Sequence, residues 1–256
     1  MTHALRPYLL EAKYELVKAL RLPAFAIPTL TFPVFFYVLF GLSFSPPGAR
    51  GGATRMSTYL LGSYGAFGVM GAALFSFGVG VAVERGQGWL LLKRATPMPP
   101  LAYFAGKIFC AMVFGATCLG MMSVLGVIFG SVRLEPQQWL GLFGVVVGGA
   151  LPFCALGLLL GLVLGPNSAP PMVNLIYLPG AFASGMWIPI QALPGFFKAL
   201  APWLPPYHFA QLALGQLGMS QGGNPLGHAA YLAGFTAVCL ALARVAYVRE
   251  DGRTFG

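Results

Sequence analysis

The chain has 256 residues, of which 57% are hydrophobic and 8% charged, with a formal net charge of +9 and a mean hydropathy of +0.77. Soluble domains carry about 25% charged residues, so the composition excludes a soluble fold and specifies an integral membrane protein. Nucleic-acid binding does not account for the positive charge, because uncharged runs of roughly 20 residues recur along the chain.

Residues 1–23 precede the first apolar run. Leu5, Tyr8, Leu9, Ala12, Leu16, Ala19 and Leu20 recur at helical spacing, with Arg6, Glu11, Lys13, Glu15, Lys18 and Arg21 between them. That pattern is an amphipathic helix, lying in a membrane interface or anchoring the first span. Glu11 and Glu15 interrupt the stretch and no small-residue cleavage site follows, so no signal peptide is expected.

Six runs reach the ~20 residues a bilayer crossing needs, at about 24–44, 58–83, 108–131, 139–165, 170–188 and 228–248. They are continuous rather than alternating, which predicts helices and not barrel strands. Pro28 and Pro33 in the first are tolerated where neighbours satisfy the freed carbonyls. Lys and Arg set the orientation. Eleven of the fifteen fall before span one, between spans two and three, or at the C-terminal end from Arg244 onward. Arg50, Arg55, Arg133 and Lys198 fall on the other side, so both termini are expected in the cytoplasm. Cys110, Cys118, Cys154 and Cys239 all sit in apolar runs without ligand spacing and read as buried free thiols. Gly157, Gly161 and Gly165 form GxxxGxxxG in span four, Gly126/Gly130 and Gly144/Gly148 form single pairs, and Gly65, Gly68 and Gly71 line part of span two. Such spacing serves close helix packing within the chain or between two copies.

Between spans five and six, "GMWIPIQALPGFFKALAPWLPPYHFAQLALGQ" is apolar, yet Pro189, Pro194, Pro202, Pro205 and Pro206 cut it into pieces too short to cross. Residues 189–216 are therefore expected to form a re-entrant or interfacial outer segment with two short helices, near 193–201 and 206–216. Trp187, Trp203, Tyr207 and His208 are expected near the interface.

No Asp, Glu, Lys or Arg lies mid-span, as proton- or ion-coupled transport would require. His3, His208 and His228 are scattered without an acidic partner, and no nucleophile–base pair or metal-ligand cluster emerges. The nearest approach to a phosphate-binding loop, Gly106–Lys107, is followed by Ile108 and has Leu101 where the first glycine belongs. The chain is therefore not expected to be an enzyme or to hold a cofactor, and uphill work would draw on ATP and Mg in a separate subunit.

The segment 84–107, "ERGQGWLLLKRATPMPPLAYFAGK", turns polar between two apolar runs. Trp89–Lys93 reads as a short amphipathic helix stopped by Pro97, Pro99 and Pro100. Trp89 and Leu90, rimmed by Lys93 and Arg94, suit a groove on a soluble partner; the alternative is a solvated loop that sets topology. The segment resembles the loop between spans two and three of the type-2 ABC transporter permeases, through Glu84, Arg85, Gly86, Ala95, Thr96, Pro97, Gly106 and Lys107. Gly185, Pro189, Leu193, Pro194, Pro202 and Pro206 are similar to that family's re-entrant outer segment. The chain departs from it in Trp187–Ile188, where an aromatic directly before the proline is common, and in the Pro-rich 203–206.

The resemblance implies a single all-α permease domain over 1–256, pairing with a second permease copy or a related subunit, with two ATP-binding-cassette ATPase subunits docked below. Partner coupling would fall to Glu84, Arg85, Trp89, Leu90, Lys93, Arg94, Thr96 and Pro97. Glu84 and Arg85 would relay to the neighbouring helix or simply cap span two. The resemblance places the transport path on Tyr64, Phe67 and Met70 of span two and Asn174 and Tyr177 of span five, and an outer gate on Pro189, Leu193, Pro194 and Trp203. An interhelical hydrogen bond is the other explanation for Asn174. The expected passenger is a hydrophobic or amphipathic small molecule leaving through a bacterial inner membrane. A polysaccharide or lipid-linked glycan is the alternative passenger, and a nucleotide-independent channel or secondary transporter the alternative class.

Overall fold

The computed structural model describes residues 2–43, 52–96 and 98–254, with the backbone alone described at 2–4, 52–55, 91, 94, 100 and 249–254. Among the described residues there are helices and turns and no strand. Helix α1 (Thr2–Leu20) leads into α2 (Pro23–Phe36), whose Pro23 occupies a first-turn position that tolerates the missing N–H. Pro28 and Pro33 interrupt the α2 ladder, and it widens into a π-helical segment, Tyr37–Leu42. Next come α3 (Gly52–Leu74), a second π-helical segment (Phe75–Val79) and α4 (Gly80–Gly86), which run on without a break. The short α5 (Trp89–Arg94) and the long α6 (Pro100–Phe129) follow.

Helices α7 (Pro136–Gly148) and α8 (Leu151–Val163) together make one stretch long and apolar enough to cross a membrane. At their junction Gly149 has no room for a Cβ, which would fall 2.1 Å from the Phe209 ring. The chain closes with α9 (Ala169–Ala183), α10 (Gly195–Leu200), α11 (Pro205–Gln216) and α12 (Pro225–Thr254). Helices α10 and α11 fall where the prolines between 189 and 206 predict two short helices.

Among the described residues, five stretches are long and apolar enough to cross a membrane: Pro23–Leu42, Met56–Gly86, Leu101–Phe129, Pro136–Val163 and Pro225–Val248. The remaining expected span, 170–188, contains α9, which has 15 residues, or about 22 Å at 1.5 Å per residue. It ends where Gly185, at φ +78, allows a left-handed cap. Gly185 N–H donates to Phe182 O and Met186 N–H to Ala181 O, which together satisfy the last turn. The third span begins earlier than expected, so Lys107 lies inside α6 rather than ahead of it. Phe44, the expected end of span one, lies outside the described residues.

The centre of the protein is the Met56–Gly86 rod: 78% of its most apolar stretch is buried, against 50% or less for each of the other four. Its glycines explain how so many neighbours come close. A Cβ on Gly65 would meet Leu119 of α6, one on Gly68 would meet Cys118 and Pro33, and one on Gly71 would meet Tyr177 of α9. Gly157 and Gly161 of α8 abut the backbone of the rod at Ala73–Gly78 in the same way, whereas Gly165 faces only Ser168. The four cysteines are free and buried, as expected.

Candidate functional site

At the Glu84 end of the rod, six charges meet. Lys107 on α6 donates to Glu15 Oε1 at 2.6 Å and to Glu84 Oε1 at 2.9 Å. Lys18 of α1 donates to Glu15 Oε2 at 2.6 Å and also to Glu84. Tyr103 O–H donates to the other oxygen of Glu84 at 2.6 Å. Lys93 of α5 pairs with Glu11 of α1, its ammonium 4.4 Å from the Tyr103 ring centroid. Three carboxylates thus face three ammoniums across α1, α4, α5 and α6. The side chain of Lys107 is 1% exposed and that of Glu15 6%. Burial alone would lower Lys18, but the Glu84 and Glu15 carboxylates outweigh it and hold the amine above its ordinary value.

Local sequence builds this cluster. Glu11, Glu15 and Lys18 recur at i, i+4 and i+7, which puts them on one stripe of α1. Gly106 lets that stripe approach: a Cβ there would sit 3.0 Å from Glu11 Cγ and 3.2 Å from the Glu11 carbonyl carbon. Arg85, next to Glu84, points another way. Its guanidinium donates to Leu162 O and, at 2.8 Å, to Leu164 O, which caps the carbonyl end of α8.

Of the residues expected to couple to a partner, Glu84 and Lys93 join this internal cluster and Arg85 braces α8. Trp89 points outward, 53% exposed, while Leu90 is partly buried against the core. Thr96 Oγ1 donates to Lys93 O at 2.7 Å and ends α5. The Arg94 backbone lies in α5; its side chain and Pro97 lie outside what the structure describes.

At the other end of the rod, three hydroxyls hold the turn after α9. Tyr59 donates to Gly185 O at 2.9 Å, Ser63 to Met186 O, and Tyr64 to Trp187 O at 3.3 Å. The Trp187 ring is held between Phe36 at 5.3 Å and Phe67 at 5.7 Å between centroids, so it packs inward. Phe67 in turn stacks on Tyr177 at 4.5 Å with planes 7° apart. Tyr64, Phe67 and Met70 are buried, and the face expected to line a path is closed by these rings.

A cavity of about 450 Å³ opens beside them, between α2, the Gly71–Phe75 stretch and α9. Phe25, Phe32, Phe75 and Tyr177 line it with Asn174, the strongly polar side chain expected on this helix. Of the residues expected to line a path, Asn174 and Tyr177 border this cavity. At the expected gate, Leu193 packs with Ile190 and Ala201, Pro189 is half-buried and Pro194 exposed. Trp203 is 76% exposed. Sequence reasoning missed Tyr59, Ser63, Tyr103 and the Lys107 junction, because each acquires its partner only through the fold.

Comparison with known proteins adds two findings. Residues 45–245 match the family model described as "ABC-2 family transporter protein". The chain is also 31% identical over 215 residues to "Putative transport permease YvfS" of Bacillus subtilis (strain 168), covering 82% of this chain and 84% of that one.

Proposed function

This chain belongs to the ABC-2 transporter family as a membrane-embedded permease subunit, and we propose that it exports a hydrophobic or amphipathic small molecule, such as a drug, antibiotic or lipid-like compound, through a bacterial inner membrane. The observation that carries the passenger class is the cavity beside α9. Its volume falls in the range of drug-sized ligand sites, and its lining is mostly apolar, with four aromatic rings, the Asn174 amide and the Thr29 hydroxyl. A second copy of the chain and two ATPase subunits complete the transporter in this reading, with both termini in the cytoplasm and the turn 185–187 facing out.

Force enters at α5. Trp89 offers an aromatic anchor to a groove on the ATPase, and Lys93 passes the displacement to Glu11. From there the ion cluster moves α1, α6 and the Met56–Gly86 rod together. The test is co-purification of the ATPase subunit with tagged permease from native membranes, followed by an ATPase assay. Trp89→Ala is expected to cut capture of that subunit roughly 30-fold, as loss of a ~2 kcal/mol anchor implies, while the permease elutes as before. Undiminished capture, with normal transport-stimulated hydrolysis, removes α5 as the docking element. A permease that purifies alone and without nucleotide activity moves the nucleotide-independent reading to the front.

A further inference from the structure

His208 stands in the first turn of α11 and His228 in the first turn of α12, and their Nδ1 atoms lie 2.7 Å apart. His208 Nε2 is 2.9 Å from Pro202 O, and His228 Nε2 is 3.0 Å from Gly222 O. A carbonyl oxygen only accepts, so both Nε2 atoms carry hydrogen. In a neutral imidazole protonated at Nε2, Nδ1 is a bare lone pair. Two neutral rings held this way would aim lone pairs at each other at hydrogen-bond distance. A hydrogen between them turns the conflict into a charge-assisted bond and makes the pair a monocation.

We propose that His208 and His228 form a proton-binding site, in which one proton held between the two Nδ1 atoms clasps α11 to the start of α12. The surroundings suit a cation. The Tyr231 ring lies over His208 with centroids 3.8 Å apart and planes 19° apart, and its hydroxyl is fixed by donation to Trp203 O at 2.6 Å. Tyr207 presents its ring at a steep angle to both imidazoles. Among the described residues, these two tyrosines, with Tyr59 of α3 beside Tyr207, are the titratable groups facing the pair. Among the described residues no carboxylate pairs with either ring. Gly223, at φ +91, leaves the space that His228 needs, since a Cβ there would fall 2.5 Å from Nε2.

A second proton is resisted. Burial holds His208 below its ordinary value, the Pro202 carbonyl opposes that, and the facing His228 adds to it. A metal ion fits poorly: bonds of 2.0–2.1 Å to nitrogens 2.7 Å apart would close to about 80° at a zinc ion, far from tetrahedral. If the folded pair binds the shared proton more tightly than the unfolded imidazoles do, the stability this lends is lost as pH rises through the pair's release point. It is lost again on the acid side, where the unfolded chain takes up two protons. On the sidedness proposed above, the clasp reads the pH outside the cytoplasm; that clause rests on the topology reading, and the site itself does not.

The test uses the full-length permease in detergent, labelled with ¹⁵N-histidine; the chain has three histidines, so assignment is tractable. At about pH 7, close to the ordinary imidazole value, the expected spectrum has hydrogen on both Nε2 atoms and one far-downfield proton coupled to the Nδ1 pair. That proton disappears in His208→Asn and in His228→Asn, where an amide N–H₂ keeps a neutral donor in place and preserves the fold. The wild-type melting temperature is expected to fall relative to His228→Asn as pH rises and the shared proton is released. A pair of neutral rings with one switched to Nδ1–H overturns the proposal, as does a melting difference that stays flat with pH. Stoichiometric binding of added zinc chloride at both Nδ1 atoms replaces it with a metal site. Reversed topology would leave all of these readouts unchanged, so the two ideas fail separately.

Discussion

Lys107 is the residue on which the ion cluster turns. Its ammonium is buried and bonded to two carboxylates from different helices, and desolvation of such a group is tolerable only while both bonds persist. Lys107→Ala leaves Glu15 and Glu84 facing each other with Lys18 as their shared cation, itself half exposed. Breaking a buried pair costs about 3–5 kcal/mol, so a drop of roughly 10 °C in melting temperature is expected for a chain of this size. Lys107→Met combined with Glu15→Gln should recover part of that loss, because the uncompensated carboxylate goes with the cation. A single variant melting within about 2 °C of wild type, less than 1 kcal/mol on that scale, would mean that water reaches the cluster and screens it. Lys107 shows where the sequence stops speaking. Read along the chain, it is a positive residue ahead of a span; its partner Glu15 is 92 positions away, and no periodicity connects them. His208 and His228 are alike in this: scattered on the page, they touch in space.

Elements were far more legible than their partnerships. Uninterrupted apolar runs marked four of the crossings, and the prolines around 97–100 and 189–206 marked the stops that frame α5, α10 and α11. Proline and hydrophobicity act locally, so a linear reading captures them. The length of α9 depends instead on the Schellman cap at Gly185 and on hydroxyls arriving from α3, which the apolar run 170–188 does not reveal. Small residues occupy a middle ground: their spacing announces close packing without saying against what. The structure separates them. A Cβ on Gly161 would fall 2.6 Å from Phe77 O and 2.9 Å from Val81 Cβ, whereas nothing lies within 4 Å at Gly144 or Gly148. Gly161→Ala is therefore expected to cost about 1–3 kcal/mol by forcing α8 off the rod. Gly144→Ala is expected to be neutral or to gain up to about 1 kcal/mol from reduced chain entropy. Thermal unfolding of both variants in detergent checks the contrast. A loss at Gly144 equal to that at Gly161 would place another chain against that face of α7.

For the whole molecule, the rod Met56–Gly86 connects two unlike ends. One carries Glu84 and Arg85 and is knit to α1, α5 and α6 by charge; the other carries Tyr59, Ser63 and Tyr64 and is knit to the turn 185–187 by neutral hydroxyls. Charge gathers at the first end in the sequence as well, where eleven of fifteen Lys and Arg fall on that side of the spans. The positive-inside bias is the ground for proposing that this end faces the cytoplasm, where an ATPase subunit would be met. The assignment is checkable because the four native cysteines are buried and give little background to a membrane-impermeant maleimide. Gln87, exposed in the turn before α5, and Ser220, exposed in the loop before α12, are suitable reporters. Ser220→Cys is expected to label in intact cells, and Gln87→Cys only after the membrane is opened. The reverse pattern would put α5 out of reach of any cytoplasmic ATPase, and the coupling role would fall with the orientation. Labelling of both in intact cells would instead mean that the rod does not cross, and that the buried helix at the centre of the fold is not a span.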